Sequence, residues 1–236
     1  MSGHSHFATI KRQKGLKDAQ KSNVFGKLSK MITISVKSGG SPNPDMNFKL
    51  RVAIDKARES NMPKENIDRI LKTASEKADS YEEIRYEGFG PFGIYVIVDC
   101  ATDNKNRTSQ ELKNLFEKSG GTMGGPNSVA YNFTDKGFLL VEKAQDVDLQ
   151  TLTLIDLGVD DIEEIDDGLE VFVTPDHLKE ISEKVVSAGF KVLKTELNMI
   201  PKTYSNISDD NQTAKITFFL ESLEDHDDVQ RVYSNF

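Results

Sequence analysis

Apolar residues in the first third of the chain recur every three or four positions, which is typical of amphipathic helices. The first helix is predicted over residues 24–38, with Leu28 and Ile32 on its apolar face, and two glycines end it. Two further helices are predicted over residues 47–60 and from Pro63 onward. The pattern therefore predicts a small helical domain that follows a polar arm.

The pattern changes after residue 81, where short apolar runs alternate with helical spacing. A hairpin is predicted from strands at 83–86 and 94–98, and a helix from about residue 108 precedes a strand at 129–133. Residues 137–199 have the order of a complete β-α-β-β-α-β unit. The segment that follows supplies one helix, near 212–223, and one strand, 229–234.

The element order predicts an α+β fold in three domains. Residues 1–80 form the basic arm and helical domain, 81–134 plus 204–236 form a discontinuous α/β domain, and 135–203 form an inserted α/β domain. Both α/β domains are predicted to be ferredoxin-like, built from split βαβ units, because each has four strands and two helices.

Charge is divided unevenly along the chain. Residues 1–37 carry eight Lys and Arg against the single acid Asp18, while the whole chain has a net charge of -8. A basic head on an acidic body predicts a polyanion partner for the head, because lysines that neutralise phosphates release bound counterions. The predicted nucleic-acid-binding residues are His4, His6, Lys11, Arg12, Lys14, Lys17, Lys21, Lys27 and Lys30.

The residues that could carry catalysis or bind a metal do not form a complete set. His4 and His6 are two potential ligands without a third, and no nucleophile, base and acid are arranged together. The G-x-G-x-x-G letters at 88–93 precede a strand rather than a helix, so a hairpin turn is predicted and no nucleotide site. We therefore expect no enzyme activity, metal or cofactor; an enzyme using the two histidines is the alternative.

Acidic residues concentrate in two places in the body. Between Lys143 and Lys179 the chain has no Lys or Arg, and residues 224–228 read Glu-Asp-His-Asp-Asp. Both segments are predicted to be solvated acidic surfaces. The alternatives are that the stretch between the two lysines binds divalent ions, or that a basic protein partner binds these acidic domains.

The remaining composition bears on the compartment. Cys100 is the single cysteine, so no internal disulfide forms, which fits a reducing cytosol. No apolar run approaches the roughly 20 residues that span a bilayer. A cytoplasmic protein with no membrane partner is expected.

The segment between the first two helices is a candidate partner loop. Gly39 and Gly40 are flexible, and the prolines of Pro42-Asn43-Pro44 stiffen the chain that follows. Because the loop joins two basic helices, we predict that it enters a cavity of a partner. A plain helix–helix turn is the alternative.

Motifs along nearly the whole chain resemble those of the YebC/PmpR family. They include Gly3-His4-Ser5, Asn61-Met62-Pro63, Tyr86-Glu87-Gly88, Thr102-Asp103-Asn104, Asn106-Arg107-Thr108 and Asp227-Asp228-Val229. The resemblance implies a helical first domain, two α/β domains and a DNA-binding transcriptional regulator. It also implies a link to translation, since mitochondrial relatives activate translation and bacterial members help ribosomes through difficult sequences.

Two departures from the family pattern fall at predicted contact sites. The family usually has Lys-Trp where this chain has His6-Phe7. It usually has Asp-Pro directly after the paired glycines, where this chain has Ser41-Pro42-Asn43-Pro44. The predicted function is a non-enzymatic, nucleic-acid-binding regulatory factor that binds DNA through its basic N-terminal domain. The alternatives are a translation factor on the ribosome or its RNA, and an adaptor that binds protein through the acidic domains.

Overall fold

The structure, a computed structural model, describes residues 18–77 and 80–236 of the chain. It begins with three helices, which are α1 (Asp18–Ser38), α2 (Phe48–Glu59) and α3 (Lys64–Lys77). Their facing sides form one apolar cluster that includes Leu28, Ile32, Leu50, Ile54 and Ile67. These buried positions follow the predicted helical spacing, so packing of the three apolar faces holds this part together.

The helix α1 begins earlier than its apolar pattern indicates and ends where it was predicted to end. Its last turn is closed by the Gly39 amide, which donates to the Ser35 carbonyl oxygen at 3.0 Å. Gly40 then adopts a φ of 69°, the left-handed conformation that commonly terminates helices.

The first sheet has the strand order β3-β1-β2-β8. Its strands are β1 (Glu82–Phe89), β2 (Tyr95–Thr102), β3 (Thr122–Met123) and β8 (Val229–Ser234). Helix α4 (Lys105–Lys118) joins β2 to β3, which lie on either side of β1, so this stretch is a split βαβ unit. Helix α7 (Asp210–Glu224) precedes β8.

Alternate residues of the first sheet face its two helices. Tyr86, Val96 and Val98 belong to an apolar cluster with Phe116 of α4 and Phe219 of α7, whose rings meet edge to face with centroids 5.1 Å apart. Cys100 lies in the same cluster, and burial raises the pKa of its thiol to about 12. The thiol is therefore protonated at neutral pH and packs as an apolar group.

Gly88 lies where β1 pairs with β3, and a substitution there tests this pairing. A methyl group there would lie 2.6 Å from the Thr122 carbonyl oxygen and 2.7 Å from the Phe116 ring. We expect Gly88→Ala to lower the free energy of unfolding in urea by about 1–3 kcal/mol, the usual cost of overpacking. Gly125→Ala is the matched control, because a methyl group there meets none of the described residues within 4 Å. Equal stability of the two variants would contradict this packing.

The second sheet has the strand order β5-β6-β4-β7. Its strands are β4 (Phe133–Val141), β5 (Asp161–Ile165), β6 (Gly168–Val173) and β7 (Val192–Pro201), with helices α5 (Val147–Asp156) and α6 (Leu178–Ser187) between them. The order of elements and of strands is that of a ferredoxin-like domain. Buried residues of this part include Leu139, Val171, Leu154 and Ile181.

The described residues divide into two compact units, 18–134 with 200–236, and 135–199. The predicted α+β fold class is confirmed, since helices precede two four-stranded antiparallel sheets. The three helices share a unit with the first sheet, and the division into three domains stays a prediction. No helix among the described residues is long and apolar enough to cross a membrane.

The strand predicted over residues 129–133 is wrong. Ala130–Asn132 form a 3-10 turn, and β4 begins only at Phe133. The fourth strand of the first sheet is instead the two-residue β3, in a glycine-rich segment. Alternating apolar residues at 129, 131 and 133 gave a strand pattern, but the side chain of Glu87 binds the backbone there.

Candidate nucleic-acid interface

The predicted nucleic-acid-binding residues fall in two groups. His4, His6, Lys11, Arg12, Lys14 and Lys17 lie outside the described residues. Lys21, Lys27 and Lys30 lie along α1. Their role in binding nucleic acid stays a prediction, and the structure adds contacts for the last two.

Lys27 and Lys30 contact the acidic segment Glu224–Asp228. The Lys27 ammonium donates to the Glu224 carbonyl oxygen, and the Lys30 ammonium donates to the Asp227 carbonyl oxygen at 3.1 Å. Burial lowers the pKa of Lys27, although the nearby carboxylates of Asp225 and Asp227 act in the opposite direction. These two lysines therefore attach α1 to the segment that leads into β8 of the first sheet.

The carboxylate of Asp228 is the centre of this attachment. It accepts from Lys30 Nζ at 2.6 Å, from Arg107 at 2.8 Å and from Thr108 Oγ1 at 2.8 Å. Thr102 Oγ1 lies 3.3 Å away, and the side chain of Asp228 is 3% exposed. Burial alone would raise the pKa of Asp228, but the bonds from Lys30, Arg107 and Thr108 outweigh it and hold the pKa well below its usual range.

The prediction that residues 224–228 form a solvated acidic turn is therefore wrong for Asp228. Nothing in the local sequence distinguishes it from Asp227, which is exposed. Its partners come from α1, β2 and α4, between 120 and 198 positions away along the chain. The family resemblance was the one sequence feature that could have indicated a special role for Asp228. Arg107-Thr108 and Asp228 both lie in the motifs on which that resemblance rests.

Glu111, His226 and Asp228 place three potential metal ligands within 4.8 Å of one another. His226 Nε2 lies 3.0 Å from Glu111 Oε2, and its Nδ1 accepts from the Asp228 amide at 3.1 Å. Both oxygens of Asp228 already accept from cationic side chains, and both His226 nitrogens have partners. We therefore assign no metal to this cluster.

The predicted partner loop lies on the surface. Gly39, Gly40, Pro42 and Asn43 are exposed, Pro44 is partly buried, and the adjoining Met46 is 77% exposed. Asn47 is buried below the loop, where its amide donates to the carbonyl oxygens of Ser35 and Ser41, each at 2.8 Å. Its Oδ1 accepts from the Leu50 amide at the start of α2.

One buried side chain thus fixes both ends of the loop. The Asn43 amide donates to Ser41 Oγ at 3.1 Å, and its side chain accepts from the Asp45 amide at 3.0 Å. The loop is consequently an ordered projection on the surface. Whether it enters a partner stays a prediction.

Two family models match the chain. Residues 5–77 match the model described as the TACO1/YebC protein N-terminal domain, and residues 81–236 match that of the TACO1/YebC second and third domain. The chain belongs to the TACO1/YebC family. The resemblance drawn from the sequence motifs is thereby confirmed.

Relatives of this TACO1/YebC protein match it along almost their full length. A protein from Dictyoglomus turgidum named probable transcriptional regulatory protein is 41% identical over 240 residues, which cover 100% of this chain and 96% of the relative. A protein of the same name from Lactobacillus acidophilus is 42% identical over 238 residues, with 99% and 98% covered.

A solved structure shows the same fold. The crystal structure of a conserved hypothetical protein from Aquifex aeolicus superposes with a TM-score of 0.86 at 35% sequence identity. The match covers 98% of this chain and 96% of that chain. The TACO1/YebC architecture described above is therefore shared with a known structure.

Proposed function

We propose that this TACO1/YebC protein is a non-enzymatic regulatory factor that binds DNA through its basic N-terminal arm. The observation that carries the proposal is the charge division, with +7 over residues 1–37 and a chain total of -8. The name shared by the relatives, probable transcriptional regulatory protein, supports a regulatory role in general.

Two cations of the head have partners within the protein itself. Lys27 and Lys30 bind the Glu224–Asp228 segment and hold α1 in place. The cations before them, Lys11, Arg12, Lys14, Lys17 and Lys21, are the ones we assign to phosphate contacts. The acidic body repels phosphates, so binding is directed to the arm.

The alternative is a translation factor that binds the ribosome or its RNA. The observation that favours it is the ordered surface loop at residues 39–46, which Asn47 presents beside the exposed Met46. A fixed projection on a protein that also has basic residues suits a target that offers both a phosphate surface and a cavity.

Salt dependence of binding tests the proposal. For five phosphate contacts, the slope of log affinity against log salt on duplex DNA is expected to be about −4.5. Replacing Lys11, Arg12, Lys14 and Lys17 by Gln should reduce the slope to about −1 and weaken binding at least about 100-fold at low salt. Fluorescence anisotropy with a labelled duplex over a range of salt concentrations measures both quantities.

A matched variant separates the arm from overall charge. Replacing Lys105, Lys113, Lys118 and Lys179 by Gln removes four exposed cations from the body, with the same change in net charge. This variant should keep the slope of the unsubstituted protein. If the two variants lose affinity equally, or the arm variant loses none, the arm is not the binding element. Parallel titrations with duplex RNA separate the DNA proposal from the ribosomal alternative.

A further inference from the structure

Five aromatic residues with exposed or partly exposed side chains lie on the hairpin of β1 and β2 and on two segments whose backbones are hydrogen-bonded to the first sheet. Phe89 and Tyr95 are a cross-strand pair of β1 and β2 whose rings meet edge to face at 5.9 Å. Phe92, in the turn between them, is 50% exposed, and Tyr131 and Tyr204 are 64% and 60% exposed. These five residues are called the aromatic surface below.

Glu87 fixes the backbone that presents Tyr131. Its carboxylate accepts from the amides of Asn127, Val129 and Ala130 at 2.7–2.9 Å, and it is 5% exposed. The three amides belong to the turn that immediately precedes Tyr131. An exposed tyrosine therefore stands on a backbone held by three charge-assisted hydrogen bonds.

Asn235 fixes the backbone that presents Tyr204. Its carbonyl oxygen accepts from the Ser205 amide at 2.6 Å, and its side-chain oxygen accepts from the Tyr95 amide at 2.7 Å. The Lys202 amide in turn donates to the Asn132 carbonyl oxygen at 2.8 Å. The segments that carry Tyr95, Tyr131 and Tyr204 are thus linked to one another by hydrogen bonds.

Phe92 is held in a conformation that bulky residues rarely adopt. Its φ is 60° and its ψ is 18°, in the left-handed region, while half of its side chain is exposed. Packing therefore does not fully account for a phenylalanine at this place. Strained residues of this kind concentrate at sites that bind ligands.

The segments that form this surface contain no acidic residue. Residues 88–98, 119–134, 200–208 and 232–236 include neither Asp nor Glu, and Lys202 is their one charged side chain. The body that surrounds them is strongly acidic. Glu87 lies nearby, but its oxygens are buried against backbone amides. Phe236 packs against the apolar cluster beneath the helices.

We propose that the aromatic surface binds single-stranded nucleic acid by stacking bases on Phe92, Tyr131 and Tyr204. Rigid exposed rings suit the faces of unpaired bases, and the segments that carry them have Lys202 as their one charged side chain, so these segments themselves place no carboxylate side chain against a phosphate backbone. A duplex hides its base faces, so single strands are the fitting ligand. The inference rests on the proposed function, in which the arm supplies most of the phosphate contacts.

The test measures binding of a fluorescein-labelled 12-nucleotide oligouridylate by the full chain. Each of Tyr131→Ala and Tyr204→Ala should weaken binding about tenfold, since stacking on one aromatic ring has an effect of this order. Tyr131→Phe and Tyr204→Phe keep the ring and should bind as the unsubstituted protein does. The salt slope should not change in any of these variants, because stacking releases no counterions.

Phe92→Gly gives a second readout that a structural role would not produce. Glycine adopts the left-handed conformation without strain, so this variant should have a higher Tm. It should nevertheless bind the oligonucleotide about tenfold more weakly. Leu149→Ala removes an exposed apolar side chain from the other unit and should change neither quantity.

The outcomes separate this inference from the proposed function. Unchanged oligouridylate affinity in all three ring variants, with affinity lost in the arm variant, would overturn the stacking surface and leave the arm proposal intact. If the arm variant binds duplex as the unsubstituted protein does while ring variants lose oligouridylate, the arm proposal fails and the stacking surface stands. Absence of oligouridylate binding by the unsubstituted protein would overturn the stacking surface.

Discussion

Replacing Asp228 by Asn should lower the free energy of unfolding by about 2–4 kcal/mol, because a buried carboxylate loses its charged hydrogen bonds while its partners Lys30 and Arg107 keep access to water. The substitution keeps the size of the side chain but puts an amide where Lys30, Arg107 and Thr108 donate. Urea unfolding followed by circular dichroism at pH 7 measures the loss. Amide hydrogen exchange should rise in α1, because this carboxylate attaches it to the sheet.

Asp227→Asn is the control for this prediction. Asp227 is exposed, and its contact with Lys30 uses the backbone carbonyl oxygen, which the substitution leaves in place. Its stability should change by less than about 0.5 kcal/mol. If both variants lose the same free energy, the effect belongs to the acidic segment as a whole.

The contribution of Asp228 should also depend on pH. Its pKa is well below the ordinary range in the folded state, so the carboxylate stabilises the fold at every pH above about 4, where an unfolded aspartate is ionised. The stabilisation is lost as the pH falls below that value. The unfolding free energies of the unsubstituted protein and Asp228→Asn should therefore converge in acid.

Replacing Glu87 by Gln should lower the free energy of unfolding by about 2–3 kcal/mol. The charged hydrogen bonds become neutral, and the NH2 group of the glutamine faces a backbone N–H that had donated to a carboxylate oxygen. Burial would raise the pKa of Glu87, but the bonds from the Val129, Asn127 and Ala130 amides outweigh it and lower the pKa. The difference in unfolding free energy between Glu87→Gln and the unsubstituted protein should therefore be largest at neutral pH and shrink as the pH falls below about 4.

Glu83→Gln is the matched control on the same strand, since Glu83 is exposed. It should unfold at the same urea concentration as the unsubstituted protein. Hydrogen exchange at residues 127–131 provides a local readout, which should rise in Glu87→Gln and stay unchanged in Glu83→Gln. Unchanged exchange in both would show that the Glu87 carboxylate does not hold this turn.

Helices and strands that are determined by residues close together in the chain could be predicted from the sequence. The hairpin of β1 and β2, the helices α2 and α3 and the β-α-β-β-α-β order each follow from the spacing of apolar residues and from glycine or proline at their ends. The two-residue β3 was missed, because Gly120 to Gly125 carry no strand signal and the pairing of Gly88 with Met123 is made by the backbone alone.

The contacts of the candidate interface could not be predicted from the sequence, because they join residues that lie far apart along the chain. Lys27 and Lys30 looked like other lysines of the basic head, and their partners lie about 200 residues away. Likewise, nothing near Glu87 indicated that it would bind the turn before Tyr131. Composition predicted a basic head and an acidic body, but only the folded chain shows which cations serve the protein itself.

The order of strands in the first sheet has a consequence during synthesis on the ribosome. β2 pairs on one side with β1, made just before it, and on the other side with β8, from which residues 103–228 separate it. At about 5–20 residues per second, the growing chain exposes one edge of β2 for roughly 6–25 s. The unit of residues 135–199 is complete before β8 emerges. We therefore expect translation rate to affect the yield of correctly paired chains, through the time for which an apolar strand edge is open to other nascent proteins.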